Sequence, residues 1–135
     1  MKKIFRLFIF LALISSGQSF ADYSGYICTI LQIQKLDSSG KFVKETAWEF
    51  ALGKQFTIDR DTGKIIGKGL SNELYSKIKV LQRGDEKDSY KHIATNLSSA
   101  HVQVQYVYVR EYAEGLEKPF WATDDNYRIY SGLCE

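Results

Sequence analysis

Apolar and polar residues alternate along most of the chain beyond Ser24. A period of two marks strands with one buried face, and the 3.6-residue period of an amphipathic helix is nearly absent. The first segment runs from Gly25 to Leu36, with Tyr26, Cys28 and Ile30 set against Ile27, Leu31 and Ile33. Asp37-Ser38-Ser39-Gly40 has turn chemistry. Phe42 to Leu52 follows as a second strand, with Trp48, Phe50 and Leu52 on one face and Glu45 and Glu49 on the other. Gln55 to Asp59 brings Phe56 and Ile58 together, and Asp61-Thr62-Gly63 turns the chain into Lys64 to Gly67. Ser71 to Ser76 is the one place where a short helical turn is expected, capped by Ser71 or Asn72.

The second half repeats the pattern. Lys77 to Arg83 points Ile78 and Val80 inward, and Gly84 to Asp88 forms a polar turn before Ser89 to Thr95 resumes extended structure. After a break at residues 97–100, His101 to Tyr112 is the longest strand signal. Val102, Val104, Tyr106 and Tyr108 share one of its faces, and Val107 and Val109 make the other apolar as well. Gly115 turns the chain, Pro119 confines the next strand to an edge or a strand start, and Tyr127 to Cys134 closes it. About eight short strands separated by turns predict an all-β fold. The expected form is an antiparallel meander in a small closed or partly open barrel, with a β-sandwich as the alternative.

The first residues read as an address. Lys2, Lys3 and Arg6 precede the apolar run Leu7 to Ile14, and Ser19-Phe20-Ala21 places small residues where a signal peptidase cuts. The expectation is a signal peptide over residues 1–21 and a single β-domain over 22–135, exported to the periplasm or beyond. No cysteine sits at the cleavage point for lipid attachment, so no membrane anchor is expected after processing. Loss of the three leader cations moves the net charge from +2 to −1. That balance argues against nucleic acid, whose binding needs a large phosphate-neutralising excess.

Two cysteines in an exported chain predict one disulfide, Cys28 to Cys134. Its geometry requires Cα atoms within about 7 Å, so the first and last strands must be neighbours. No cofactor or metal is expected.

The segment Phe56-Thr57-Ile58-Asp59-Arg60-Asp61-Thr62-Gly63-Lys64-Ile65-Ile66-Gly67 resembles one found in small exported bacterial proteins of unknown function. Lys118-Pro119-Phe120 and the closing Gly132-Leu133-Cys134-Glu135 are similar to the same group. The resemblance implies a bacterial, exported protein and no particular activity. In outline the chain is also similar to periplasmic lysozyme inhibitors, which are small disulfide-bearing β-barrels. The Ser-Gly inhibitory loop of that family has no counterpart here, since Ser24-Gly25 and Ser131-Gly132 both sit beside the cysteines.

Candidate chemistry is sparse. Asp59-Arg60-Asp61-Thr62-Gly63 opens like a calcium loop, but its ninth and twelfth positions are Gly67 and Leu70 where oxygen ligands belong. It reads as a hairpin turn in which Asp61 and Gly63 supply turn geometry and Asp59 pairs with Arg60 or Lys64. His92 and His101 read as surface or strand-end residues, because no nucleophile elbow accompanies them. Glu45 with Glu49, or Asp124 or Asp125 with a neighbouring strand, are the carboxylates a small hydrolase would use. All nine tyrosines and both tryptophans lie after the leader, and such rings fill a core or stack on a ligand. Tyr112 and Trp121, flanking the Gly115 turn, are the ligand-binding candidates. The expected function is a non-catalytic domain binding a protein or small molecule, with enzyme inhibition of the lysozyme-inhibitor kind or carboxylate-dependent hydrolysis as alternatives.

Overall fold

Each alternating segment becomes a strand in the computed structural model, which describes residues 24–97 and 100–135. The expected leader, and Ser98 and Ser99 of the expected break, lie outside those residues. The strands are β1 (Gly25–Leu36), β2 (Phe42–Lys44), β3 (Gln55–Asp59), β4 (Ile65–Gly67) and β5 (Lys77–Arg83), then β6 (Tyr90–Asn96), β7 (Gln103–Val109), β8 (Lys118–Thr123) and β9 (Arg128–Cys134). Antiparallel ladders join them in one continuous sheet ordered β4-β3-β1-β9-β8-β7-β6-β5, with β2 also beside β1. One curled sheet, and not two stacked ones, makes this a partly open barrel and sets aside the sandwich.

The two ends of the chain meet as their cysteines require. Cys28 and Cys134 stand opposite each other in the β1–β9 ladder, bonded, with Cα atoms 3.9 Å apart. Ile27 and Glu135 exchange backbone hydrogen bonds of 3.0 and 2.9 Å beside them. Further along this ladder a bulge between Ile30 and Gln32 tightens the sheet. Only glycine fits opposite it, because a Cβ at position 132 would strike the Thr29 carbonyl oxygen and the Phe120 ring.

Because β1 lies next to β9, the sheet's two edges are β4 and β5, and side chains close the seam between them. The turn after β3 carries Arg60, which donates to the backbone oxygens of Arg83 (3.3 Å) and Gly84 (2.9 Å). Asp61 takes the Arg83 guanidinium at 2.9 Å. Gly63, at φ +74°, lets this turn press against Ile78 and His92. Inside, Tyr26 meets Tyr90 edge-on at 5.4 Å and Phe56 meets Phe120 at 5.2 Å. Ile30, Ile58, Ile65, Val107 and Tyr130 are buried around them, so the barrel is packed with side chains.

Three local expectations are corrected. Phe42 to Leu52 is not one strand: the Glu45 carboxylate accepts from the Ala47 N–H (2.9 Å), which bends the chain away after Lys44, and Glu49–Ala51 form a 3-10 turn. Ser71 to Ser76 is not helical, because Asn72 turns inward to bond the Ile65 N–H and the Gly63 oxygen, both at 2.8 Å. Asn72 therefore completes the edge of β4. The strand expected over His101 to Tyr112 is only Gln103–Val109; at its C-terminal end the Arg110 N–H reaches the Pro119 carbonyl at 2.8 Å, but Pro119 has no N–H to return. β1, at 12 residues, is the longest strand.

A disulfide closing a span of 106 residues constrains the unfolded chain strongly. Replacing Cys28 and Cys134 together by serine is expected to lower unfolding free energy by about 4 kcal/mol. Urea unfolding of the oxidised protein and the double variant checks this.

Candidate functional site

With the interior filled, the candidate binding residues are to be found on the outside of the barrel. The alternation that sends Val107 and Val109 inward turns Tyr106 and Tyr108 of β7 outward. Pro119, Trp121 and Thr123 face out on β8, because Phe120 and Ala122 are buried. Register sets Tyr108 directly opposite Trp121. Their rings stack at 6.2 Å and 28°, and Tyr106 packs on the same indole at 5.1 Å. The Thr123 hydroxyl accepts from the Tyr106 N–H at 3.1 Å and pins the end of the patch where the two strands part. Trp121 remains 39% exposed and Tyr112 45%.

The two sequence candidates are thus brought into one surface, with Tyr108 as the link. The Tyr112 and Tyr108 hydroxyls lie 3.2 Å apart. This shared hydrogen bond lowers the Tyr108 phenol and raises that of Tyr112. Tyr106 and Tyr108, absent from the sequence candidates, were visible in the outward phase of β7. The residues around the rings follow from register: Lys91 of β6 stands opposite Tyr108, and Ser131 of β9 opposite Trp121. The result is an aromatic shelf with a cation on one side and a hydroxyl on the other.

The Asp59–Gly63 motif is a turn, and its acids are engaged. Asp59 Oδ1 accepts from the N–H groups of Asp61 and Thr62, both at 2.9 Å, so its carboxylate serves the backbone and does not pair with Arg60 or Lys64. These bonds hold the Asp59 carboxyl below its ordinary value. Arg60 reaches over the Tyr26 ring at 5.1 Å to within 3.7 Å of Glu111. Burial, with the Glu111 carboxylate, holds the Tyr26 phenol well above its ordinary 10. The cluster serves as a clasp over the seam.

His92 is not a surface histidine. It is fully buried on β6, in phase with Tyr90 and Ala94, and its Nδ1 lies 3.1 Å from the Tyr90 hydroxyl. Burial pushes it down to about 4. His101 is exposed just before β7. Three of the four carboxylates named for hydrolysis, Glu45, Glu49 and Asp124, are also occupied. Glu45 is buried against Lys35 (3.5 Å), and Glu49 pairs with Lys44 (2.6 Å), so they do not share a strand face.

Asp124 belongs to a network that sequence reasoning missed. It accepts from the N–H groups of Asn126 (2.9 Å) and Arg128 (3.3 Å), the Arg128 guanidinium (2.8 Å) and the Tyr130 hydroxyl (2.7 Å). That fills its lone pairs. Arg128 in turn lies 3.7 Å over the Trp48 ring, where a shallow cleft of about 280 Å³ opens at the barrel mouth. Only the i, i+4 spacing of Asp124 and Arg128 hinted at this. Among the described residues no group of three or more His, Cys, Asp or Glu side chains is placed to hold a metal ion. No protein family model matches the chain, and no curated protein or solved structure is significantly similar to it.

His92 makes stability depend on pH. Its proton affinity is lowered on folding, from 6.5 to about 4. The unfolded chain therefore binds the extra proton first, and stability present above pH 6.5 is lost as pH falls towards 4, by about 3 kcal/mol in total. Asp37, Asp59 and Asp85, held low by backbone N–H groups, act in a lower window. Denaturant titrations from pH 7 to 4.5 are expected to show the decline in the native chain and a flattened profile in His92→Gln.

Proposed function

We propose that this protein is an exported, non-catalytic binding domain that recognises its ligand on the outer face of the barrel, at Trp121, Tyr106, Tyr108 and Tyr112. The observation that carries the reading is the exposed indole stacked on Tyr108 outside an interior packed with side chains. A filled barrel leaves no central room for a ligand. Large planar rings left partly in water on a rigid sheet offer apolar area with polar edges at little entropic cost. The single disulfide, buried between the first and last strands, suits an oxidising compartment and supports export.

The engaged states of Glu45, Glu49 and Asp124 give the hydrolase reading no support. Enzyme inhibition is one form that binding would take, with a protein as the ligand.

A glycan and peptide array probed with purified protein and with Trp121→Ala tests the proposal. Trp121 is a surface side chain, so the variant is expected to keep its melting temperature while losing about tenfold or more of any array signal. Equal signals from the two proteins, or none above background, would overturn it.

A further inference from the structure

We propose that the ligand of this face is an acidic polysaccharide, one sugar ring stacking on Trp121 and Tyr108 while its carboxylates meet Lys91, Lys79 and Lys77. The proposal rests on the binding reading above and adds the chemical class of the ligand.

Charge is the first observation. Strands β5, β6, β7 and β8 contain no Asp or Glu, although the processed chain would carry a net charge of −1. On the same four strands Lys77, Lys79 and Lys91 point outward, and none of the three forms an ion pair among the described residues. A cationic face on a chain without cationic excess concentrates attraction for anions in one place.

Register supplies the second. Lys91 pairs with Tyr108, Tyr108 with Trp121 and Trp121 with Ser131, so a cation, two rings and a hydroxyl form one row across β6 to β9. In the next outward row Lys79 pairs with Ile93 and Ile93 with Tyr106. Neighbouring strands lie about 4.8 Å apart, close to the width of one pyranose ring. A sugar seated over Trp121 and Tyr108 therefore places its carboxylate beside Lys91 and its hydroxyls beside Ser131. A following uronate falls over the β5–β6 lysines.

Two competing accounts explain less. Lysines on an edge strand discourage edge-to-edge pairing. That covers Lys77 and Lys79 on β5 but not Lys91, which lies on an interior strand. A single-stranded nucleic acid also stacks on aromatic rings, but it needs cations tracking its backbone along the whole site. Here they lie on the β5–β6 side, and the opposite flank offers Ser131.

Fluorescence titration tests this with Trp48→Phe protein, in which Trp121 is the remaining indole. The probes are polygalacturonate, dextran, polyglutamate and a thymidine 20-mer. Polygalacturonate is expected to shift Trp121 emission and bind more weakly as salt rises. Converting Lys77, Lys79 and Lys91 together to Gln should weaken it about tenfold without changing the melting temperature. Dextran bound as well as polygalacturonate, unaffected by salt or by the lysine variant, would overturn the acidic-ligand proposal while upholding the aromatic surface. Equal binding of polyglutamate would show charge without sugar recognition and overturn it. So would tighter binding of the thymidine oligomer. If no probe binds, the polysaccharide proposal falls, and the array separately decides the broader reading.

Discussion

The Cys28–Cys134 pair governs where everything else can be. By placing the first strand beside the last, it forces a sequential meander to wrap on itself and moves the opening of the barrel to the β4–β5 seam. Backbone ladders cannot close that seam, because β4 has three residues and the chain must cross from it to β5. The Asp59–Gly63 turn does so instead. Its Asp59 shapes the turn, and Arg60 spends its donors on carbonyls at the end of β5. The turn between Asp59 and Gly63 is thus the latch of the fold.

Packing then decides which side chains are left facing water. Inward positions that hold polar side chains are each anchored by at least one internal hydrogen bond, while His92 Nε2 and Gln105 Oε1 are buried with no partner among the described residues. His92 meets Tyr90, Gln105 donates to the Ser71 carbonyl at 3.2 Å, and Asn72 bridges the β4 edge. Buried polar groups favour this kind of fixed pairing because an unmet donor or acceptor costs about 1–3 kcal/mol. A closely packed interior holds the outward rings of β7 and β8 in a set geometry. Preorganisation of that kind lowers the entropic cost of binding.

Strand positions were legible because period two is a strong signal over six or more residues. β1, β3 and β5 begin and end where the alternation does, at Gly25 and Leu36, Gln55 and Asp59, Lys77 and Arg83. The misreadings come from side chains that compete with the backbone. Glu45 breaks its strand by accepting a nearby N–H, and Asn72 declines a cap for two bonds inside the barrel. The first is a local bond between Glu45 and Ala47 that alternation alone does not reveal, whereas the second depends on Ile65 and Gly63 brought close by the fold. His92 is a different case. Its inward phase was already set by Tyr90 and Ala94, and only a general expectation about histidines placed it at the surface. For the candidate site, Tyr112 and Trp121 could be named from their position around one turn. Tyr108 as their bridge required the register.

The distribution of charge has a simple origin on one side only. Asp37, Asp59, Asp85 and Asp124 each accept backbone N–H groups in turns, so much of the chain's acid is drawn into loops by turn chemistry. That explains why the strands hold a single carboxylate, Asp59 at the end of β3, but it leaves open which cations stay unneutralised. Most other strand cations are matched: Lys35 of β1 with Glu45, Lys44 of β2 with Glu49, Arg128 of β9 with Asp124, and Arg83 at the end of β5 with Asp61, while Lys118 of β8 donates to the Ala113 carbonyl. Lys77, Lys79 and Lys91 have no such counterpart among the described residues, and they occupy the flank of the sheet next to the exposed rings. A surface shaped by solubility alone would intersperse the two signs. Unmatched cations gathered beside a stacking platform are instead what a planar, anionic ligand requires.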